Sequence, residues 1–122
     1  MARVLVAGGS LGGLFVANML LRDGHDVRVL EKVKGSMNGR GAGIVSHDAL
    51  VNALERLGLD VQASLGVLVP GRVLLDSSGD TLLRLDMPQV LTSWSRLYQI
   101  LREAFPSERY LQGISVKRVE QD

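Results

Sequence analysis

A chain of 122 residues, 46% apolar and 22% charged, has the size of one globular domain and can bury about two-thirds of its unfolded surface without a disulfide or metal staple. It has no cysteine, which excludes thiolate metal sites and thiol nucleophiles, and fourteen basic against thirteen acidic residues leave a net charge of +1. With no like-charge run longer than two and few aromatic residues, the sequence offers neither a nucleic-acid footprint nor a base-stacking platform.

Val4 to Leu21 carries no charge, yet Gly8, Gly9, Ser10, Gly12 and Gly13 break it too often for an export signal or a membrane span. A cytoplasmic, soluble protein is the expectation. Arg3 to Ala7 is uniformly apolar after its first residue, the pattern of a parallel strand covered on both faces. Leu11 to Arg22 follows as an amphipathic helix that Gly24 can end in the left-handed conformation, and Asp26 to Leu30 as a second strand. Strand, helix and strand within about thirty residues predict a βαβ unit with parallel strands.

Gly35, Gly39, Gly41 and Gly43 then make a segment able to approach a ligand closely or to remain mobile. A second helix is predicted with Ser46 as N-cap, Asp48 and His47 in its first turn and Gly58 at its end. Arg72 to Leu75 and Thr81 to Leu85 flank Asp76-Ser77-Ser78-Gly79-Asp80 as a small β-hairpin. Ser93 to Phe105 reads as a third helix stopped by Pro106, with Trp94, Leu97, Tyr98, Leu101 and Phe105 on its apolar face. Tyr110 to Leu111 and Ile114 to Val119 are short strand candidates. His25 and His47 belong to no set with metal-ligand spacing.

The chemistry concentrates at the first βα turn. Gly8-Gly9-Ser10-Leu11-Gly12-Gly13 fits the dinucleotide fingerprint G-x-G-x-x-G at its first and last glycines and carries Ser10 at the middle one. Gly8 permits the tight turn and Gly13 allows close packing of helix on strand. The free N–H groups of the first helical turn, with the helix dipole behind them, offer donors to a pyrophosphate. Glu31, at the tip of the second strand, can accept from both ribose hydroxyls and would repel a 2′-phosphate. The ligand-free alternatives are a tight strand-to-helix turn and a solvated strand end.

Val4 to Leu14, then Val29-Leu30-Glu31-Lys32, then Gly39-Arg40-Gly41-Ala42-Gly43-Ile44, then a helix ending Leu57-Gly58-Leu59, resembles the FAD-dependent aromatic hydroxylases, flavoprotein monooxygenases of the p-hydroxybenzoate hydroxylase type. The Gly-Gly-Ser turn and the Tyr98-centred helix look most like the 2,6-dihydroxypyridine hydroxylases. The resemblance implies an α/β, Rossmann-like FAD-binding fold, with an N-terminal βαβ unit, a parallel sheet and a small β-hairpin. It implies that residues 1–122 are the N-terminal part of that domain, the later FAD motifs and the substrate domain lying beyond Asp122. Gly8, Ser10 and Gly13 would hold the FAD pyrophosphate, Glu31 the adenosine ribose and Val116 the adenine through its main chain, with Leu11, Gly12 and Lys32 also among the cofactor-binding residues. Arg40 would lie against the diphosphate and ribitol, its alternative being a loop arginine in water. Trp94 stands where relatives often carry a flavin-contacting arginine, with Arg96 two positions later; it is a plate over the cofactor or a core residue.

The implied reaction uses NADPH or NADH and O₂ to hydroxylate a small aromatic or heteroaromatic ring, with no catalytic residue identifiable within these residues. The implied partners are that substrate, the remainder of a parent chain and a second copy in a homodimer. Two other readings share the first turn: a non-catalytic nucleotide-binding module or fragment, and the NAD-binding Rossmann domain of a dehydrogenase, which leaves the Arg40 segment unexplained.

Overall fold

A computed structural model describes residues 1–59 and 64–121, and divides the chain into two compact units, residues 1–42 with 94–122 and residues 43–93. In the first unit, β1 (Arg3–Ala7) leads through the glycine turn into α1 (Leu11–Arg22), followed by β2 (Asp26–Glu31). After α3 (Trp94–Ala104) a single 3-10 turn, Ser107–Arg109, delivers β6 (Tyr110–Gln112). The strands form one parallel sheet in the order β1-β2-β6, in which Arg3 to Ala7 register with Asp26 to Leu30 and Val29 to Glu31 with Tyr110 to Gln112. The predicted βαβ unit is therefore present with its expected boundaries, and β2 runs one residue further, through Glu31.

Helical periodicity explains what α1 and α3 bury. Leu14, Ala17 and Asn18 point inward from α1, and Leu97, Tyr98, Ile100 and Leu101 from α3, where they meet Val27, Val29, Phe105 and Tyr110. Each fully buried leucine contributes about 1.5–3 kcal/mol. Asn18 is the polar exception among these, and its side-chain amide donates to Leu14 O at 2.9 Å and to Leu101 O at 3.0 Å, tying α1 to α3. Gly24 adopts φ +82 and the N–H of His25 returns to Leu20 O, so α1 ends as its sequence predicts.

Two expectations fail in this unit. The apolar run of β1 implied cover on both faces, but its exposure alternates and Leu5 is 67% exposed, because α1 packs against only one side of the strand. The segment predicted as a strand from Ile114 to Val119 is irregular; β6 stops at Gln112, and beyond the bond from Ile114 N–H to Glu31 O at 3.0 Å the chain leaves the sheet.

The second unit holds β3 (Gly43–Val45), α2 (Asp48–Arg56), β4 (Val67–Leu75) and β5 (Thr81–Ser93), its strands forming an antiparallel sheet in the order β3-β5-β4. The predicted small hairpin is much longer than expected. Its turn closes on Asp76, whose Oδ1 accepts from Ser78 N–H at 2.8 Å and Asp80 N–H at 2.9 Å. Pro70 and Pro88 fall at the same register shift, between Val69 and Gly71, where a missing donor breaks no ladder bond. The N-cap of α2 is His47 rather than Ser46: its Nδ1 accepts from Leu50 N–H at 3.2 Å, a role open to a neutral imidazole nitrogen.

Candidate cofactor site

The glycine turn is built by close approach. Gly8 adopts φ +110, and its N–H donates to Leu30 O at 2.8 Å, extending the β1–β2 ladder into the turn. A Cβ at Gly13 would overlap the carbonyl oxygen of Gly8, so only glycine lets α1 start this near the strand end. The first helical bond runs from Leu14 N–H to Ser10 O at 2.9 Å, which leaves the N–H groups of Leu11, Gly12 and Gly13 without helical acceptors. Ser10 is the N-cap in extended backbone, but its hydroxyl makes no capping bond, and the space beside Gly12 is open. The result is a cluster of unused backbone donors at the positive end of a helix dipole, suited to an anion.

A cavity of about 280 Å³ lies beside the turn, lined by Ala7, Gly8, Leu30, Glu31, Lys32, Ile114, Ser115 and Val116. Four sequence-predicted residues meet there: Gly8, Glu31, Lys32 and Val116. Its chemistry is apolar walls, one carboxylate and one ammonium. Glu31 is not the solvated strand end that sequence allowed. It is only 5% exposed, its Oε2 accepts from Gly9 N–H at 2.8 Å and its Oε1 from Val33 N–H at 2.9 Å. A carboxylate has about four acceptor positions, so two remain for hydroxyl donors.

Arg40 lies elsewhere. Its loop is fastened to the start of α3 by the Gly39 N–H bond to Ser95 Oγ at 3.1 Å and the Trp94 N–H bond to Ala42 O at 3.1 Å, and Arg40 is not among the residues lining the cavity. A Cβ on Gly41 would press into Trp94, whose ring in turn stacks on Tyr98 with centroids 5.1 Å apart and planes 8° from parallel. Trp94, half-buried, thus supports the loop and the start of α3.

Gly9, Tyr98 and Tyr110 carry structure at the turn that sequence reasoning missed. Tyr110, from β6, donates its hydroxyl proton to Gly9 O at 2.8 Å, across 101 residues, and its hydroxyl lies 3.2 Å from that of Tyr98. Burial pushes the Tyr110 phenol above its ordinary value, only partly offset by the Arg102 guanidinium 4.3 Å over its ring. The phenol stays protonated and able to donate. The one sequence clue was the extra glycine at a fingerprint position that tolerates any residue.

This constellation, a glycine turn with free helical donors and a buried acid beside a narrow cleft, coincides with a family match. The sequence matches the FAD binding domain family over residues 1–101. The chain belongs to that family. The FAD-binding domain is 34% identical over 109 residues to 2,6-dihydroxypyridine 3-monooxygenase of Paenarthrobacter nicotinovorans, covering 88% of this chain and 27% of that protein. It is similar to the solved structure of 2,6-dihydroxypyridine-3-hydroxylase from Arthrobacter nicotinovorans, with a TM-score of 0.87 and 32% identity over 98% of this chain and 30% of that one. Klebsiella pneumoniae HpxO, solved with FAD and uric acid, shares the fold at a TM-score of 0.81 and 24% identity, with 100% of this chain and 33% of that one covered. The chain spans a little over a quarter of the curated relative it matches. The mixed α/β fold and the FAD-binding class expected from sequence both hold. Among the described residues no helix is long and apolar enough to cross a membrane.

Proposed function

We propose that this FAD-binding domain is the N-terminal part of a flavin-dependent monooxygenase that hydroxylates a small aromatic or heteroaromatic ring with NADH or NADPH and O₂. The relative above 30% identity acts, by its name, on 2,6-dihydroxypyridine, so an electron-rich hydroxypyridine is the substrate class to try first. The observation that carries the reading is the junction of unused helical donors and the Glu31-lined cleft at one strand-to-helix turn.

The residues present fit the adenosine diphosphate half of the cofactor. The N–H groups of Leu11, Gly12 and Gly13 would receive the pyrophosphate, with Ser10 at the mouth of the turn and Gly8 and Gly13 allowing the approach. Glu31 would accept from ribose hydroxyls through its two remaining positions, while its charge disfavours a 2′-phosphate. Lys32 borders the same cleft, and Ile114 and Val116 supply apolar contact for a base. Arg40 would meet the cofactor only at its ribitol side, away from this cleft. When bound, the flavin supplies the redox chemistry; the protein binds and orients it.

The test is direct. The full-length protein purified from cells should show flavin absorption, and after removal of the flavin should take up FAD in preference to NAD. Consumption of NADH or NADPH should then rise when a hydroxypyridine is added, with one ring hydroxyl gained per O₂. Uptake of NAD without FAD would establish the dehydrogenase reading, and FAD uptake without turnover the binding-module reading.

A further inference from the structure

The Gly9 carbonyl oxygen accepts from Tyr110, and the Gly9 N–H donates to Glu31. Both polar groups of one turn residue are therefore held by side chains from two different strands. In a planar trans peptide the C=O of one residue and the N–H of the next point in opposite directions. The Gly9 carbonyl turned toward the buried Tyr110 hydroxyl therefore turns the N–H of Ser10 the other way, and Ser10 is exposed. Tyr110 has one hydroxyl proton and the carbonyl can only accept, so the Tyr98 hydroxyl must donate to that of Tyr110. Tyr98 is held in turn by its stack with Trp94, and Tyr110 by Arg102 over its ring. A Cβ on Gly9 would overlap the ring of Tyr110, so the glycine at this free fingerprint position is the counterpart of that tyrosine.

We infer that Tyr110, backed by Tyr98, is a positioning residue that locks the Gly9–Ser10 peptide so that the Ser10 N–H joins the helical donors facing a pyrophosphate. The inference rests on the cofactor site proposed above and adds to it residues from β6 and α3 that touch neither phosphate nor ribose. The lock acts on ligands that carry a diphosphate and is silent for adenosine alone.

The experiment compares FAD, ADP and adenosine binding by the flavin-free full-length protein and its Tyr110→Phe and Tyr98→Phe variants, each first checked by thermal unfolding. Tyr110→Phe keeps the ring and loses the donor, so FAD and ADP should bind about fivefold more weakly, the size of one lost neutral hydrogen bond. Adenosine should bind as before. Tyr98→Phe, which keeps the bond to Gly9 and removes the donor behind it, should weaken both diphosphates about twofold and serves as the test if Tyr110→Phe does not fold. Unchanged FAD and ADP binding, or an equal loss for adenosine, overturns the inference and leaves the cofactor reading standing. Failure of the unmodified protein to bind FAD overturns both.

Discussion

The two compact units are made of similarly apolar sequence and use it in opposite ways. In the unit that carries the glycine turn, Leu14, Leu97 and Leu101 are buried to within 1% of completely, and the polar groups among them are paired. In the β3-β5-β4 unit, Leu68, Leu74, Leu82 and Leu83 are 70, 58, 62 and 47% exposed, and Leu54 is its one side chain with no exposure at all among the described residues. Hydrophobic composition alone therefore does not identify a core. The period decides: α1 and α3 put their leucines on one stripe, whereas β4 and β5 carry them on both faces of a sheet with little in the same unit to cover either. The first unit is held by packing, the second by its backbone ladder and its turn. That contrast sets an order of expected mutational effects.

Leu101→Ala should cost most. The side chain is fully buried on α3, and its removal deletes contacts and leaves a cavity, for a loss of about 2–5 kcal/mol. Urea unfolding followed by fluorescence reads this unit directly, since Trp94, the single tryptophan of the chain, belongs to it. A loss well below 1 kcal/mol would end the claim that this unit is packing-dominated. Next comes Gly13→Ala, whose methyl meets the Gly8 carbonyl, a backbone atom with little freedom to yield. We expect about 1–3 kcal/mol of destabilisation together with loss of FAD retention, measured by released flavin on gel filtration. An alanine variant that keeps both would show that the turn is looser than its contacts imply.

Within the β4–β5 hairpin the largest effect should come from a polar residue. Asp76→Ala removes an acceptor that serves two backbone N–H groups, at 2.8 and 2.9 Å, and should cost about 1 kcal/mol, read as faster hydrogen exchange along β4 and β5. Exchange rates unchanged by the substitution would mean that the ladder, rather than the turn, holds the hairpin.

What could be read from sequence follows the same divide. β1, the glycine turn, α1 and β2 were legible because their signals are local: an apolar run, a cluster of glycines, a helical period and a terminating Gly24 lie within thirty residues. Glu31 was legible as a candidate ligand-binding position at the end of β2, but its burial was not, because that depends on Gly9 and Val33 folding over it. β3 was missed because three residues from a glycine-rich stretch become a strand only by pairing with Leu91 to Ser93. The hairpin was cut short because only Arg72 to Leu75 and Thr81 to Leu85 beside the turn carry a local strand signal; its outer part, from Val67 and as far as Ser93, is defined by cross-strand pairing, such as Val67 with Leu91. Ile114 to Val119 carries a β-type pattern without a strand partner among the described residues, so propensity alone overstated it. Tyr110 supports a turn 101 residues away, a relation with no local signature.

The smallest effect should be Leu83→Ser. In a core this change would cost several kcal/mol, but Leu83 is 47% exposed and pairs across the ladder with Leu74, itself 58% exposed, so little apolar area is lost from burial. The 122-residue chain should change by no more than about 0.5 kcal/mol in urea unfolding, and its binding of an apolar fluorescent dye should fall as the sheet face becomes more polar. Made in the full-length protein, the same substitution becomes a probe of cover, because a side chain left open by these residues loses stabilisation there only if other residues bury it. A loss of about 2 kcal/mol or more in the full-length protein, beside none in the short chain, would show that the exposed leucines of this unit are an interior face of the larger molecule. A large loss in the short chain itself would instead break the contrast between the two units, since it would place a hydrophobic core where the structure shows only a ladder.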